Sequence, residues 1–246
     1  MNFVYLWGSF LFKYRNTVFP VFLAILFVIF PPVLYGGSLQ SDLKLDLLGV
    51  ALCIAGQVIR GAVIGFAYIK RGGLNKKVYA DTLVTRGIFG VTRNPLYVGN
   101  LLAAAGILVV HNNPMVYLIA GLFTLFSYQA IVLTEERFLR NKFGEEFEQY
   151  CREVPRWLPR LSRLRGATDG MSFQWGKVVM KDYSTCCTWM VIVTLLFMFE
   201  GYRDGIANDS GRLMTGAAVL AGAGLFSLLV HGIKKSASRK QRMLRA

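Results

Sequence analysis

The chain has 246 residues, of which 54% are hydrophobic and 17% charged, and it carries a formal net charge of +14. A soluble domain holds about a quarter charged residues, so this composition, with a mean hydropathy of +0.44, excludes an ordinary soluble globular domain and points to a membrane protein. Nor does the basic surplus indicate nucleic acid, because Lys and Arg are divided among short segments that alternate with apolar runs, the distribution produced by membrane orientation.

A membrane-crossing helix needs about 17–25 mostly apolar residues. The first candidate runs from Val18 to Tyr35, with Pro31-Pro32 near its end as a kink or stop. No small-residue cleavage pattern follows it, so a signal peptide is not expected. The second runs from Leu45 to Ile69 and contains Gln57 and Arg60. The third, Leu96 to Val110, is short: at 1.5 Å per residue it reaches roughly 22 Å, against roughly 30 Å of hydrocarbon. The fourth runs from Met115 to Leu133, the fifth from Tyr183 to Phe199 and the sixth from Leu213 to Ile233.

An even number of spans puts both termini on one side. The connection from Lys70 to Arg93, the segment from Glu135 to Asp182 and the tail from Lys234 to Arg245 are rich in Lys and Arg. The alternate connections, Gly36 to Lys44, His111 to Pro114 and Glu200 to Arg212, are poor in them. Basic loops stay inside, so both termini are expected in the cytoplasm, with the chain in a bacterial inner membrane.

After the fourth span the pattern changes. Phe138, Leu139, Phe143, Phe147, Tyr150 and Cys151 recur at helical spacing among charges. This predicts a helix continuing out of the span, a break at Gly144 and an amphipathic helix ending near Pro155. Arg160, Arg163 and Arg165 are then placed to face anionic headgroups. Phe173 to Lys181 reads as a separate interfacial piece with Trp175 as its anchor. The cysteines form no C-x-x-C, and adjacent Cys186-Cys187 are poorly placed for a mutual bridge. His111 and His231 stand alone, and no metal site is expected. Gly61-x-x-x-Gly65 and Gly222-Ala223-Gly224 read as helix-packing positions.

Two stretches hold most of the polar and chain-breaking residues of the middle of the chain: Leu83 to Gly99, LVTRGIFGVTRNPLYVG, and Thr134 to Pro159, TEERFLRNKFGEEFEQYCREVPRWLP. R-N-P-L-Y-V-G resembles the R-H-P-x-Y-x-G signature of the isoprenylcysteine carboxyl methyltransferase and phospholipid methyltransferase superfamily. Glu135-Glu136, followed by Phe143-Gly144, Tyr150 and V-P-x-x-x-P at Val154, Pro155 and Pro159, resembles that family's C-terminal half-site. The resemblance covers roughly Gly56 to Pro159. It implies an all-α, polytopic membrane enzyme that transfers a methyl group from S-adenosylmethionine, at a cytoplasmic site, to a lipid or lipid-linked acceptor entering sideways from the bilayer. By resemblance, Arg93, Pro95, Tyr97, Gly99, Glu135 and Glu136 take part in cofactor binding and turnover.

The residue types suit that chemistry. The carboxylate of the cofactor binds well to Arg or to backbone N–H groups at a helix start, which Arg93 and Asn94-Pro95 offer. A ribose diol or an ammonium group wants a carboxylate, which Glu135 and Glu136 supply. Tyr97 and Tyr150 bring an aromatic wall and a hydroxyl. Gly99 and Gly106 share a helix face and let the cofactor or a neighbouring helix come close. The candidate cofactor-binding set is Leu83, Arg93, Asn94, Pro95, Tyr97, Gly99, Glu135, Glu136 and Tyr150; the candidate catalytic set is Arg93, Glu135 and Arg60. Arg60 also resembles a G-Q-x-x-R stretch of relatives. An Arg inside a span is expensive, so it either orients an anionic acceptor or pairs with a Glu.

Asn94 stands where the prenylcysteine enzymes have His. Asn cannot titrate near neutral pH, which argues against prenylcysteine as the substrate. Carboxylates and phosphates are nucleophilic at neutral pH, whereas a protonated amine needs a base. With the surplus of Arg, this favours an anionic acceptor. The alternatives are a phospholipid amine, a small thiol, or a non-enzymatic membrane partner that has kept the fold. The chain divides into an arm and first span (1–44), a core (45–165), and an interfacial segment with two further spans and a basic tail (166–246). The last two spans are expected to serve as a buttress or homo-oligomer contact without chemistry.

Overall fold

The computed structural model describes residues 2–37, 39–66, 80, 82–203 and 210–243. Residues 70–79 and 81 of the basic connection between the second and third expected spans lie outside the described residues, as does the end of the tail. The elements are helical: α1 (Asn2–Ile29), α2 (Leu39–Phe66), α3 (Pro95–His111), α4 (Pro114–Phe143), α5 (Glu145–Glu153), α6 (Trp175–Arg203) and α7 (Ser210–Met243), with single 3-10 turns at Tyr35–Gly37, Gly87–Gly90 and Leu161–Arg163. Among the described residues, five helices are long and apolar enough to cross a membrane, at Phe3–Ile29, Ser41–Phe66, Pro114–Phe143, Trp175–Glu200 and Leu213–Ser236; α3 is shorter. The expected all-α, polytopic membrane architecture is therefore present. The chain forms two compact units, Met1–Phe173 and Gln174–Ala246.

In the first unit α2 packs along α3, α1 packs along α4, and α3 and α4 are neighbours. Small residues set these approaches. A side chain at Gly56 would collide with the backbone of Gly99 and Ala103, and one at Gly99 would collide with Gly56 and the stem of Arg60. The close approach expected at Gly99 and Gly106 is thus taken by α2. At Gly8 a side chain would strike Ala130 and Thr134, so α1 lies close on α4 near the Glu pair.

The first helix differs from expectation. It ends at Ile29, where the approaching Pro31-Pro32 disfavour helical backbone, and it starts far earlier than Val18. Lys13 and Arg15 depress the local hydropathy. Lys13 is exposed, and Arg15 finds buried partners in the core, so neither breaks the helix. The separate interfacial piece at Phe173 to Lys181 is also not seen. Phe173 packs edge-to-face on Phe66 at 4.9 Å, and α6 begins at Trp175 and runs unbroken into the fifth span. In the second unit Gly216 lies tight against Met198, while Gly222 and Gly224 meet nothing within 4 Å. The expected stretch packs on α6 through buried Ala223, whose carbonyl lies 3.8 Å from Cys187 Sγ, and Gly216 adds a second close approach.

The turn between α3 and α4 is built from Asn112 in the left-handed region (φ 49°), Asn113 accepting from the Met115 N–H at 3.0 Å, and Pro114 in the first turn. Asn112 and Asn113 also donate to the carbonyls of Val33 (2.9 Å) and Pro31 (2.8 Å), tying down the turn after α1. His111 is fully buried and stacks on Phe27 at 4.1 Å, so it is a core residue rather than an interfacial one. At the other end, α4 runs past the apolar region and carries Glu135 and Glu136 on its last turns. Gly144 (φ 52°) breaks it where expected, and the amphipathic α5 folds back.

Candidate active site

The two polar stretches meet because the chain after α5 returns antiparallel to the segment before α3. The Arg93 N–H donates to Pro155 O and the Arg160 N–H to Val91 O, both at 2.9 Å. The buried Thr92 hydroxyl lies 3.2 Å from Arg156 O and 3.3 Å from Trp157 O. Asn94 does not cap α3 with its side chain; its amide donates to Arg156 O at 3.1 Å. Tyr150 donates to Phe89 O at 2.8 Å. Leu83 packs with Ala80, Leu139, Phe147 and Tyr150 in a small apolar cluster behind this seam. Backbone pairing joins the two half-sites, and the side chains named from sequence hold it in register.

The glutamates part company. Glu136 is buried, its side chain 5% exposed, between two guanidiniums. Arg156 binds it with two parallel bonds, Nε to Oε1 at 3.0 Å and Nη2 to Oε2 at 2.7 Å. Arg93 Nη1 lies 3.2 Å from Oε1. The hydrogen bonds to Glu136 hold the Arg156 guanidinium above its ordinary pKa. Glu135 instead accepts from Tyr97 Oη at 2.5 Å, and Tyr97 Oη accepts from Arg15 Nη1 at 2.7 Å. Further along α3, Arg60 donates to Asn100 Oδ1. The ring of buried Tyr128 lies 5.5 Å from that of Tyr97. Tyr97, Tyr128, Ile131 and Val132 form the apolar bed under these groups, with Trp157 against it.

The structure thus brings Arg93 to Glu136, Tyr97 to Glu135 and Arg60 to Gly99, with Pro95 buried as the first residue of α3. Tyr150 faces elsewhere, lining a cleft of about 640 Å³ with Arg86, Gly87, Gly90, Glu153 and Arg163. Sequence reasoning missed Arg15, Arg156, Asn100 and Tyr128. Arg15 was discoverable: it sits inside an apolar window, as Arg60 does, once that window is started at Phe3. Arg156 carries no such signal, being one more Arg in a basic loop.

Cys151 also touches this network, accepting from Arg93 Nη1. Burial pushes its thiol up, and the Arg93 guanidinium pulls it part of the way back. The thiolate is therefore scarce at neutral pH, and Cys151 is a poor nucleophile. Alkylation of Cys151 by iodoacetamide is expected to be slower than that of a free cysteine peptide at pH 7.5 and to keep rising past the pH at which the peptide reaches its plateau. Faster labelling than the peptide at neutral pH would mean that Arg93 dominates.

Residues 45–146 match the phospholipid methyltransferase family model. The chain is 36% identical to the cobalt-zinc-cadmium resistance protein CzcN of Cupriavidus metallidurans, over 50% of this chain and 52% of that protein. It is 32% identical to the protein-S-isoprenylcysteine O-methyltransferase of Schizosaccharomyces pombe, over 44% of this chain and 46% of that protein. It is 26% identical to the nickel-cobalt-cadmium resistance protein NccN of Alcaligenes xylosoxydans xylosoxydans, over 64% of this chain and 70% of that protein. The chain spans about half the length of the first two of these relatives, and no solved structure matches it. The resemblance first read from R-N-P-L-Y-V-G and the Glu pair is thereby a finding: residues 45–146 of this membrane protein carry the phospholipid methyltransferase family pattern.

Proposed function

We propose that this protein is an integral-membrane methyltransferase that uses S-adenosylmethionine and modifies a lipid or lipid-linked acceptor bearing an anionic group. Two adjacent contacts inside a chain with the family pattern support this reading: Tyr97 holds Glu135, and Arg93 holds the next residue of α4, Glu136. The donor set fits the cofactor. Arg93 Nε is buried and has no hydrogen-bond partner among the described residues, which leaves a donor for a carboxylate. Glu135 has a second carboxylate oxygen for a ribose diol or an ammonium group. When bound, S-adenosylmethionine supplies a methyl group already activated on a sulfonium, so the chemistry needs alignment and exclusion of water more than a strong base.

The residues divide that work. Arg93 and Glu135 bind and orient the cofactor. Glu136 and Arg156 lock the loop that carries Arg93. Tyr97 holds the Glu135 carboxylate in one direction. Arg60 stands over the apolar bed and orients the acceptor oxygen. A carboxylate or phosphate acceptor attacks without losing a proton, so no titrating group is demanded at Asn94. The purified full chain is expected to bind labelled S-adenosylmethionine; absence of binding would remove the enzyme reading.

One observation favours a second reading. Two relatives, CzcN and NccN, are named for metal resistance rather than methyl transfer. A non-enzymatic membrane partner in a resistance system would explain those names, and it would not bind the cofactor.

The site is expected to face the cytoplasm together with residues 70–95, 134–182 and 234–246, as the basic loops require. A single cysteine placed in the last of these segments should react with a membrane-impermeant maleimide in inverted vesicles and stay unlabelled on intact cells. Labelling from outside would overturn the topology.

A further inference from the structure

Residues 157–165, W-L-P-R-L-S-R-L-R, form the returning side of the seam and the turn after it. Trp157 faces inward. Its Nε1 donates to Gln129 Oε1 at 3.0 Å, and its ring packs against the apolar cluster that holds Tyr97, Tyr128, Ile131 and Val132. Gln129 precedes the Glu pair on the membrane-crossing helix α4, so Trp157 holds the start of this segment at the level of the span ends.

Beyond Trp157 the apolar side chains face outward. Leu158, Leu161 and Leu164 are 81%, 70% and 51% exposed. From Arg160 the chain coils in tight turns: the N–H groups of Arg163, Leu164 and Ala167 donate to the carbonyls of Arg160, Leu161 and Leu164 at 2.9, 3.1 and 3.1 Å. Such a coil has about three residues per turn, so residues three apart lie one above the other. Leu161 and Leu164 therefore share one side, and Arg160 and Arg163 share another. Arg163 and Arg165 border the cleft at Tyr150, and none of the leucines does. The side chains of Arg160, Arg163 and Arg165 are exposed, and none is in an ion pair among the described residues.

We propose that residues 158–165 are an interfacial clasp: Leu158, Leu161 and Leu164 enter the adjoining leaflet, Arg160, Arg163 and Arg165 bind the phosphates of anionic phospholipids, and this contact steadies the seam between the two half-sites. A bilayer surface offers hydrocarbon and phosphate at adjacent depths, which suits a leucine row beside unpaired guanidiniums. A zwitterionic headgroup carries its own cation, whereas an anionic one leaves a net attraction. Leu158 follows directly on a residue anchored among the spans, where lipid rather than an acidic protein is the neighbour. Arg160 is the joint: its N–H donates to Val91 O within the seam, and its carbonyl accepts the first bond of the turn. The clasp does not depend on methyl transfer.

The test is hydrogen exchange, read by mass spectrometry, on the purified full chain in nanodiscs of dioleoylphosphatidylcholine alone or mixed with dioleoylphosphatidylglycerol. Peptides covering residues 156–167 are expected to exchange about tenfold or more slowly in the mixed discs. The turn at Asn112–Asn113, at the other end of α3 and α4, should not respond. The combined variant Arg160→Gln, Arg163→Gln, Arg165→Gln should lose this protection in the same mixed discs, which also corrects for the lower pH at an anionic surface. Leu161→Ser with Leu164→Ser should quicken exchange in both kinds of disc. Arg163→Gln alone changes one exposed side chain; it should lose part of the protection and carries the test if the combined variant does not fold. Equal exchange of 156–167 in the two kinds of disc, or protection that the arginine variants retain, would overturn the clasp. Protection found in native membrane vesicles but in neither kind of disc would assign the face to a protein partner and overturn it as well.

Discussion

Glu136→Ala is expected to destabilise the protein by about 3–5 kcal/mol, the cost of leaving buried charges without their partner. Glu136 is the anion that Arg93 and Arg156 share among the described residues, with its own side chain 5% exposed. Its removal strands two guanidiniums, one of which is itself only 12% exposed. The loop they hold is the seam joining the two half-sites, so the loss is structural before it is chemical. Arg93→Ala should cost clearly less, because the two bonds from Arg156 still satisfy both oxygens of Glu136. Glu136→Gln keeps an acceptor and should fall between the two. Thermal unfolding of the three variants in detergent reads this order. A Glu136→Ala protein melting with the wild type would show that the ion network contributes nothing net, as exposed pairs often do.

For Glu135 the expectation is the opposite. Glu135→Gln should leave the melting temperature close to wild type, since the amide oxygen can still accept from Tyr97 and the residue is only half-buried. Transfer of labelled methyl to membrane lipid should nevertheless fall by about 100-fold or more, the usual effect of removing one preorganised electrostatic group from an active site. The carboxylate is the sole negative charge contributed to the Arg15–Tyr97 group in these contacts, and the proposed cofactor brings a cationic sulfonium and ammonium to it. Binding of labelled S-adenosylmethionine should weaken in parallel. Turnover within a few-fold of wild type in a folded Glu135→Gln protein would move the site elsewhere, the cleft at Tyr150 being the next place to look.

These contrasting expectations come from two residues adjacent in the chain. On a helix, successive side chains point about 100° apart, so the two members of the Glu-Glu pair on α4 meet different partners. Glu135 turns toward α1 and α3, and Glu136 turns toward the returning loop. The pair reads as one feature in the sequence, and only the helix phase separates a chemical role from a structural one.

The sequence by itself determined the membrane class, the helices after the first and the break at Gly144, whereas the joining of the two polar stretches was implied by the family resemblance. Each of these three depends on local physics: apolar run length, hydrophobic periodicity and a glycine at positive φ. The start of α1 was not legible because Lys13 and Arg15 look like a loop until their surroundings are known. One side chain is exposed and the other is received by Tyr97. The tertiary structure alone decided which Arg serves which carboxylate. Arg15, Arg60, Arg93 and Arg156 are alike as letters, and ion pairing depends on distance and burial rather than on spacing in the chain. Packing on α3 draws Arg15 to Tyr97 and Arg60 to Asn100, while the backbone pairing of residues 91–93 with 155–160 fixes Arg93 and Arg156 on Glu136.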